Sequence, residues 1–354
     1  MKIRKNILIT ALSAVAMVLI IAGAWGSGSI TASVSVKSSL VPDKALSSAI
    51  CERLGISLKD LDAAQLQKVT TLTVGHAGIT DLTGLEGCTN LEYLNLDNNN
   101  IRSLKPLCNL SHLTMLSVAR NDIADLSPFY VMNSLTSLRI CDNRITNIMP
   151  LAGLGKLTAL DISRNDVEDL APLSALADLT WLEAYDNKIS DISPLGTLDK
   201  LEQLDISENY ISDISPLQHC VNLDTLYCRY NQISDISPLA NLKLLDQLYL
   251  DYNRITNIAP LGGCTLLRGL SLTGNQISDV STLAGLANLI FTRLDNNKIQ
   301  DISSLLENKW VVTASLAPEL YLGGNQLNAA SLGSVVPQLK ASGLSVFLKN
   351  GLTD

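Results

Sequence analysis

The residues of this chain that could do covalent or metal chemistry are few and scattered. Its three histidines, His76, His112 and His219, are far apart in the sequence. None has a cysteine or a second histidine at a metal-ligand or nucleophile spacing. Seven cysteines occur, with no Cys-x-x-Cys pair among them. The odd count leaves at least one free thiol whatever the pairing. No Gly-x-Ser-x-Gly elbow, phosphate-cradling Gly loop, His-Glu-x-x-His helix or dinucleotide fingerprint is present. The chain therefore reads as a non-enzyme that uses no cofactor and no metal.

What does concentrate is the chemistry of recognition. Aromatic residues make up only 4% of the chain, yet a short stretch holds many of them. It runs Trp181, Glu183, Tyr185 and Asp186, then Asp205 and Glu208, then Tyr227, Arg229 and Tyr230, then Tyr249, Asp251 and Tyr252. Tyr, Trp and Arg are enriched where partners bind most tightly. We take Trp181, Glu183, Tyr185, Asp205, Tyr227, Arg229, Tyr230, Tyr249, Asp251 and Tyr252 as candidate partner-binding residues. The competing reading is that Tyr merely suits a β-surface and stacks on its neighbours. Small or polar residues stand at the equivalent places around 113 and 267, which favours the binding reading.

The elements that must carry these side chains are legible as a repeat. Aligning Leu91-x-x-Leu94-x-Leu96-x-x-Asn99-x-Ile101 with the downstream sequence gives a period of 22 residues. Copies start at 69, 91, 113, 135, 157, 179, 201, 223, 245, 267 and 289. A twelfth starts at 317, after six extra residues, Val311 to Leu316. Positions 1, 4, 6, 11, 14, 17 and 20 of the unit are predominantly aliphatic. In the copy at 201 they are Leu201, Leu204, Ile206, Ile211, Ile214, Leu217 and Cys220.

Positions 4 and 6 are two apart, so both point to one side of a short strand while 3, 5 and 7 face solvent. The candidate residues fall on positions 3, 5, 7 and 8 of consecutive copies. Neighbouring strands are ~4.8 Å apart, so the spacing predicts one shared patch. Asn fills position 9 in eleven of the twelve copies. Its amide both donates and accepts, which suits it to satisfy backbone groups where the strand bends inward. Pro fills position 16 in eight consecutive copies, from Pro106 to Pro260, and suits the start of a short helical turn. Asp or Asn at position 13, as at Asp191, Asp213 and Asp235, is placed to cap that turn. Cys88, Cys220 and Cys264 share core position 20 in copies that are not neighbours, and Cys228 takes position 6. They read as buried thiols standing in for aliphatics.

A stack of such units needs lids. Pro42 to Leu54 carries Leu46, Ile50 and Leu54 at helical spacing and ends at Gly55. Ser57-Leu58-Lys59-Asp60 matches a capping box and predicts a second helix through about Leu66. Ala329 to Lys340 has a helical pattern, and Leu344 to Leu348 could add a strand. The expected organisation is a segment 1–24, a flexible Ser-rich linker 25–41, a helical cap 42–68, repeats 69–338 and a C-terminal cap 339–354.

The first segment has Lys2, Arg4 and Lys5, an apolar run from Ile7 to Ala22, and small residues at Ala22-Gly23-Ala24. That is the layout of an export signal. Cleaved, it is a signal peptide; uncleaved, it is an anchor approaching the ~18 residues of a spanning helix. Both place the repeats outside the cell, because the basic end stays in the cytoplasm. The expected location is extracellular, secreted or held at the cell surface. The net charge of −8 provides no footprint for a nucleic-acid backbone.

The run from Leu201 through Asn209 to Pro216-Leu217 resembles the 22-residue repeats of bacterial internalin-like leucine-rich-repeat proteins. The stretch from Val41-Pro42-Asp43 to Lys68 resembles that family's N-terminal cap. The resemblance spans residues 41–338. It implies an α/β solenoid: a curved array with a parallel β-sheet on the concave side, short 3₁₀ turns behind, and a surface that binds a macromolecule. No immunoglobulin-like domain, glycine-tryptophan module or wall-sorting motif is evident, so covalent wall attachment and host-cell invasion are not implied. The functional expectation is a module that binds a protein or peptide through the concave face. A glycan ligand and a passive spacer are the alternatives.

Overall fold

Each copy uses its aliphatic positions for one short strand and one short turn, and the copies stack. In the computed structural model, residues 40–311 and 317–349 are described, all within one unit of residues 39–354. Residues 1–24, expected to direct export, and the expected linker up to residue 39 lie outside the described residues, as do 312–316 and 350–354.

Thirteen three-residue parallel strands, from Thr71–Thr73 to Ser345–Phe347, form one sheet in chain order among the described residues. Register follows the repeat, with Leu182 opposite Leu204 and Leu204 opposite Leu226. The extra residues after 310 leave it intact, for Thr292 lies opposite Leu320 and Arg293 opposite Tyr321. Positions 4 and 6 turn inward: Leu204, Ile206, Leu226 and Cys228 are buried, as are Leu248 and Leu250. Cys88, Cys220 and Cys264 are buried in the same core. Burial pushes the Cys88 thiol up to about 12 and the Cys220 thiol up to about 11.

The back of the sheet is a row of 3₁₀ turns such as Ser193–Thr197, Ser215–His219 and Ser237–Asn241, each with Pro in its first two residues. The position-13 carboxylate closes each turn from just ahead of it. Asp191 accepts from the Ser193 amide at 2.8 Å, Asp213 from Ser215 at 2.7 Å and Asp235 from Ser237 at 2.8 Å. Turns without Pro, Ser281–Gly285 and Ser303–Glu307, keep the same bond, from Asp279 and Asp301. A position-13 side-chain oxygen, of Asp or, at Asn147 and Asn257, of Asn, is thus the shared device, and Pro pre-sets a φ that the turn adopts anyway.

The asparagines form a spine. Asn231 Oδ1 accepts the Ile211 amide of the preceding copy at 2.9 Å. Its Nδ2 donates to Ile206 O at 2.9 Å and to Arg229 O at 3.2 Å. Equivalent bonds recur at Asn187, Asn209, Asn253, Asn275 and Asn297. Where the six-residue insertion falls, Asn325 still reaches the Ile299 amide, at 3.1 Å. The first copy, which has no repeat before it to bond, has Ala77 at this position, and its amide donates to Asn99.

At the N-terminal end, α1 (Lys44–Leu54) is capped by Asp43, whose carboxylate accepts from the amides of Ala45 and Leu46. Gly55 ends it in the left-handed conformation, φ +66°. Leu46, Ile50 and Leu66 pack into the core of the first copy. The second helix expected from Ser57 to Leu66 is broken. Leu58–Asp60 is a 3₁₀ turn, and α2 (Ala63–Leu66) starts afresh from Asp62, which caps Gln65. Locally, Ser57 donates its hydroxyl to the Asp60 carboxylate at 2.5 Å and caps no backbone amide, while Asp62 supplies the cap of the next helix. At the other end, Ser331–Val335 is a π-helical turn leading into α3 (Val336–Ala341), which crosses the expected boundary at 338. The strand Ser345–Phe347 then adds one rung beyond the twelve copies. Among the described residues no helix is long and apolar enough to cross a membrane.

Candidate partner-binding face

Positions 3, 5, 7 and 8 line the concave side, but they do not all face solvent. The strand ladder uses the amides of positions 6 and 8: Ile206 N donates to Tyr227 O at 2.9 Å and Glu208 N to Arg229 O at 2.8 Å. The position-7 amide points instead toward the concave surface and needs a side-chain acceptor. Asp205 accepts from the Ser207 amide at 2.9 Å, the Ser207 hydroxyl from the Arg229 amide at 3.1 Å, and Asp251 from the Thr273 amide at 2.9 Å. Position 7 is accordingly buried at Ser207, Asp251 and Thr273. This corrects the expectation that position 7 faces solvent. Asp251 also accepts the Ser271 hydroxyl and pairs with Arg229 Nε at 3.1 Å. Asp205 and Asp251 each hold a backbone amide in place.

Position 8 has a signature of its own. It lies at positive φ in every copy, from His76 (57°) through Glu208 (55°), Tyr230 (51°) and Tyr252 (56°) to Gly324 (71°). That region costs an ordinary L-residue roughly 1–2 kcal/mol. The bend into the asparagine spine over-determines it, and the position-8 side chain projects from the rim of the sheet. Tyr230 and Tyr252 are 51% and 37% exposed there.

The structure gathers most of the candidate residues into two ring pairs and a wedge. Tyr227 and Tyr249 stack with centroids 4.7 Å apart and planes 10° from parallel. Tyr230 and Tyr252 stack at 4.5 Å and 9°. The Arg229 guanidinium lies 4.5 Å from the Tyr249 centroid and 5.4 Å from that of Tyr227, so it stands beside the pair. Burial, then the charge of a neighbouring Tyr227 phenolate, raises the Tyr249 hydroxyl. On the N-terminal side, Trp181, Glu183, Asp205 and Tyr227 line a shallow trough of about 340 Å³. Asp161, Glu183 and Asp205 are in register on adjacent strands. Burial, then the charges of Asp161 and Asp205, pushes the Glu183 carboxyl up to about 7. Tyr185 is not brought to the ring pairs. Its neighbours are the charges of the preceding copies, and burial followed by Asp161 raises its hydroxyl while Arg164 opposes this.

Known proteins share this architecture. Leucine Rich repeats (2 copies) is the family description matching residues 67–109, 89–131, 178–219 and 221–263. The crystal structure of an internalin from Listeria monocytogenes (inlF) is 33% identical, with a TM-score of 0.82, covering 88% of this chain and 90% of that one. The chain belongs to the internalin family. Internalin C2 of the same organism is 37% identical with a TM-score of 0.57, covering 58% of this chain and 92% of that one. The ectodomain of an Arabidopsis thaliana receptor kinase, solved with Casparian strip integrity factor 2, is 23% identical with a TM-score of 0.62, covering 74% and 33% of the two chains. That likeness shows the fold alone. No curated protein matches the chain.

The ring surface of this internalin-family chain extends further than the sequence reading, which stops at Tyr252. Phe291 and Tyr321 approach at 5.6 Å and 54°, and Tyr321 stacks on Phe347 at 4.5 Å and 11°. Arg293 lies 4.8 Å from the Tyr321 centroid. The signal was available in the column of position-5 residues, Tyr227, Tyr249, Arg293, Tyr321 and Phe347. The small residues of the copy at 267 and the insertion after 310 hide it from a reading along the chain.

Proposed function

We propose that this chain is a non-enzymatic module, exported and presented outside the cell, that binds a protein or peptide segment on its concave face. Leucine-rich-repeat proteins generally serve as protein-interaction modules, which supports the reading at the coarse level. The observation that carries the finer one is the pair of ring stacks around Arg229. The core is complete without them, since Leu226, Cys228, Leu248 and Leu250 fill it from the opposite face. Exposed, pre-stacked rings have little conformational freedom left to lose on binding, which is what an anchor requires.

The test has two stages. The protein is screened in parallel against a displayed peptide library and a glycan array. Binders are then measured against Trp181→Ala, Tyr227→Ala and the back-face control Lys156→Ala. We expect peptide binders whose affinity falls by about 2 kcal/mol for Tyr227→Ala and is unchanged by Lys156→Ala. Glycan binders alone would transfer the face to the carbohydrate reading. Peptide binders indifferent to both ring substitutions would move the site elsewhere on the solenoid.

A further inference from the structure

Position 5 of the last six strands is a stack with one member missing. In register order it runs Tyr227, Tyr249, Ser271, Arg293, Tyr321, Phe347. The steps on either side are 4.7 Å (Tyr227 to Tyr249), 4.8 Å (Arg293 to Tyr321) and 4.5 Å (Tyr321 to Phe347). Only Ser271 has no planar group. Above it lies an open trough of about 330 Å³, walled by Tyr249 and Tyr252 on one side and by Phe291 and Arg293 on the other.

The walls stand two strand spacings apart, roughly 9.6 Å. One ring placed midway lies about 4.8 Å from each, the interval the stack already uses. The outer face of Tyr249 is available to it, because Arg229 stands beside the Tyr227–Tyr249 pair and not beyond it. The floor adds a polar requirement. The Ser271 hydroxyl is donated to Asp251. Thr273 lines the trough, and its hydroxyl, buried just beneath the surface, has no hydrogen-bond partner; Arg293 Nε on the far wall is likewise buried without one. An orphaned buried hydroxyl is costly and asks for a complementary group from above.

We infer that the trough over Ser271 receives a single Tyr or Trp side chain of a polypeptide partner, which completes the stack and bonds its O–H or N–H to Thr273. A sugar ring fits less well. It is not planar, so it cannot lie flat against both walls. The inference rests on the concave face being the binding face, and names the residue that face selects.

The experiment uses the full chain and acetylated, amidated Gly-Gly-X-Gly-Gly peptides with X as Trp, Tyr, Phe or Leu, followed by ligand-observed NMR. We expect Trp and Tyr to bind about tenfold more tightly than Leu. Thr273→Val should weaken Trp and Tyr about fivefold and leave Phe unchanged. Ser271→Tyr, which supplies the missing ring from within, should abolish binding of all four, with circular dichroism confirming the fold. If Ser271→Tyr does not fold, the Thr273→Val contrast between Tyr and Phe decides. Equal binding of Leu and Trp, or equal losses for Tyr and Phe, overturns the inference. A peptide binder from the library separates the two readings. If it is lost in Trp181→Ala and Tyr227→Ala but kept in Ser271→Tyr, the slot falls and the binding face stands. If it is kept in all three variants, both fall.

Discussion

The same strand-and-bend unit is filled in opposite ways along the concave face. In the copies from 91 to 179, exposed positions hold alternating charges. Arg139 spans Asp97 at 3.3 Å and Asp161 at 3.2 Å, and at position 8 Arg164 sits 3.6 Å from both Asp142 and Asp186. From 223 onward rings pair at these places, Tyr227 with Tyr249, Tyr230 with Tyr252 and Tyr321 with Phe347, stacked at 4.5 to 4.7 Å. The difference teaches what a parallel solenoid permits. Each side chain meets its own counterpart in the next copy, so a residue type must either stack on itself or alternate in sign. Rings do the first and charges the second. Where neither holds, at Asp161, Glu183 and Asp205, three carboxylates lie side by side, and burial, followed by the charges of Asp161 and Asp205, pushes Glu183 up to about 7.

The largest expected effect separates the inner and outer faces at adjacent residues. Leu226 is fully buried, so Leu226→Ala should destabilise by about 2–5 kcal/mol. Tyr227→Ala, one residue on, should cost less than about 1 kcal/mol, mostly lost stacking. Urea unfolding of both variants checks this, and equal losses would mean that the ring stacks hold the fold together as much as the core does.

Next is the spine. Asn231→Ala leaves the Ile211 amide and the Arg229 carbonyl without their side-chain partner. The expected loss is about 3 kcal/mol, measured by the same titration. A loss under about 1 kcal/mol would show that water replaces the amide and that the asparagines are dispensable.

The carboxylate triple predicts a pH dependence. Glu183 holds its proton more tightly in the folded state than its ordinary 4.5. Its contribution to stability is therefore present below about pH 4.5 and is lost as pH rises through about 7. Glu183→Gln should remove that decline, so its thermal midpoint should exceed that of the unaltered protein at pH 8 and match it near pH 4. Identical midpoint differences at both pH values would mean that folding does not raise the Glu183 carboxyl.

The smallest effect sharpens the position-8 account. Glu208 has φ +55°, and Glu208→Gly should raise stability by about 0.5–1 kcal/mol, relieved strain exceeding the added chain freedom. Thermal melts resolve a change of that size. A loss would mean that the side chain itself contributes at that rim.

The repeat, its inward positions, the asparagine spine and the turn-closing carboxylates were determined by the sequence alone. Each arises from contacts that recur at one fixed spacing, and a period of 22 residues is visible without coordinates. The candidate patch from Trp181 to Tyr252 was legible for the same reason, as a column of exposed positions. Three things were decided only by the tertiary structure. Position 7 is buried at Ser207, Asp251 and Thr273 because its amide faces the concave surface, where a neighbouring side chain must accept it. The capping-box segment broke into a 3₁₀ turn, in which Ser57 and Asp60 bond to each other, and a new helix start at Asp62. The stack running through Arg293, Tyr321 and Phe347, with its gap at Ser271, appeared only once copies separated by an insertion were laid side by side. Lateral contact between copies depends on the register of the folded sheet, and no local stretch of sequence contains it.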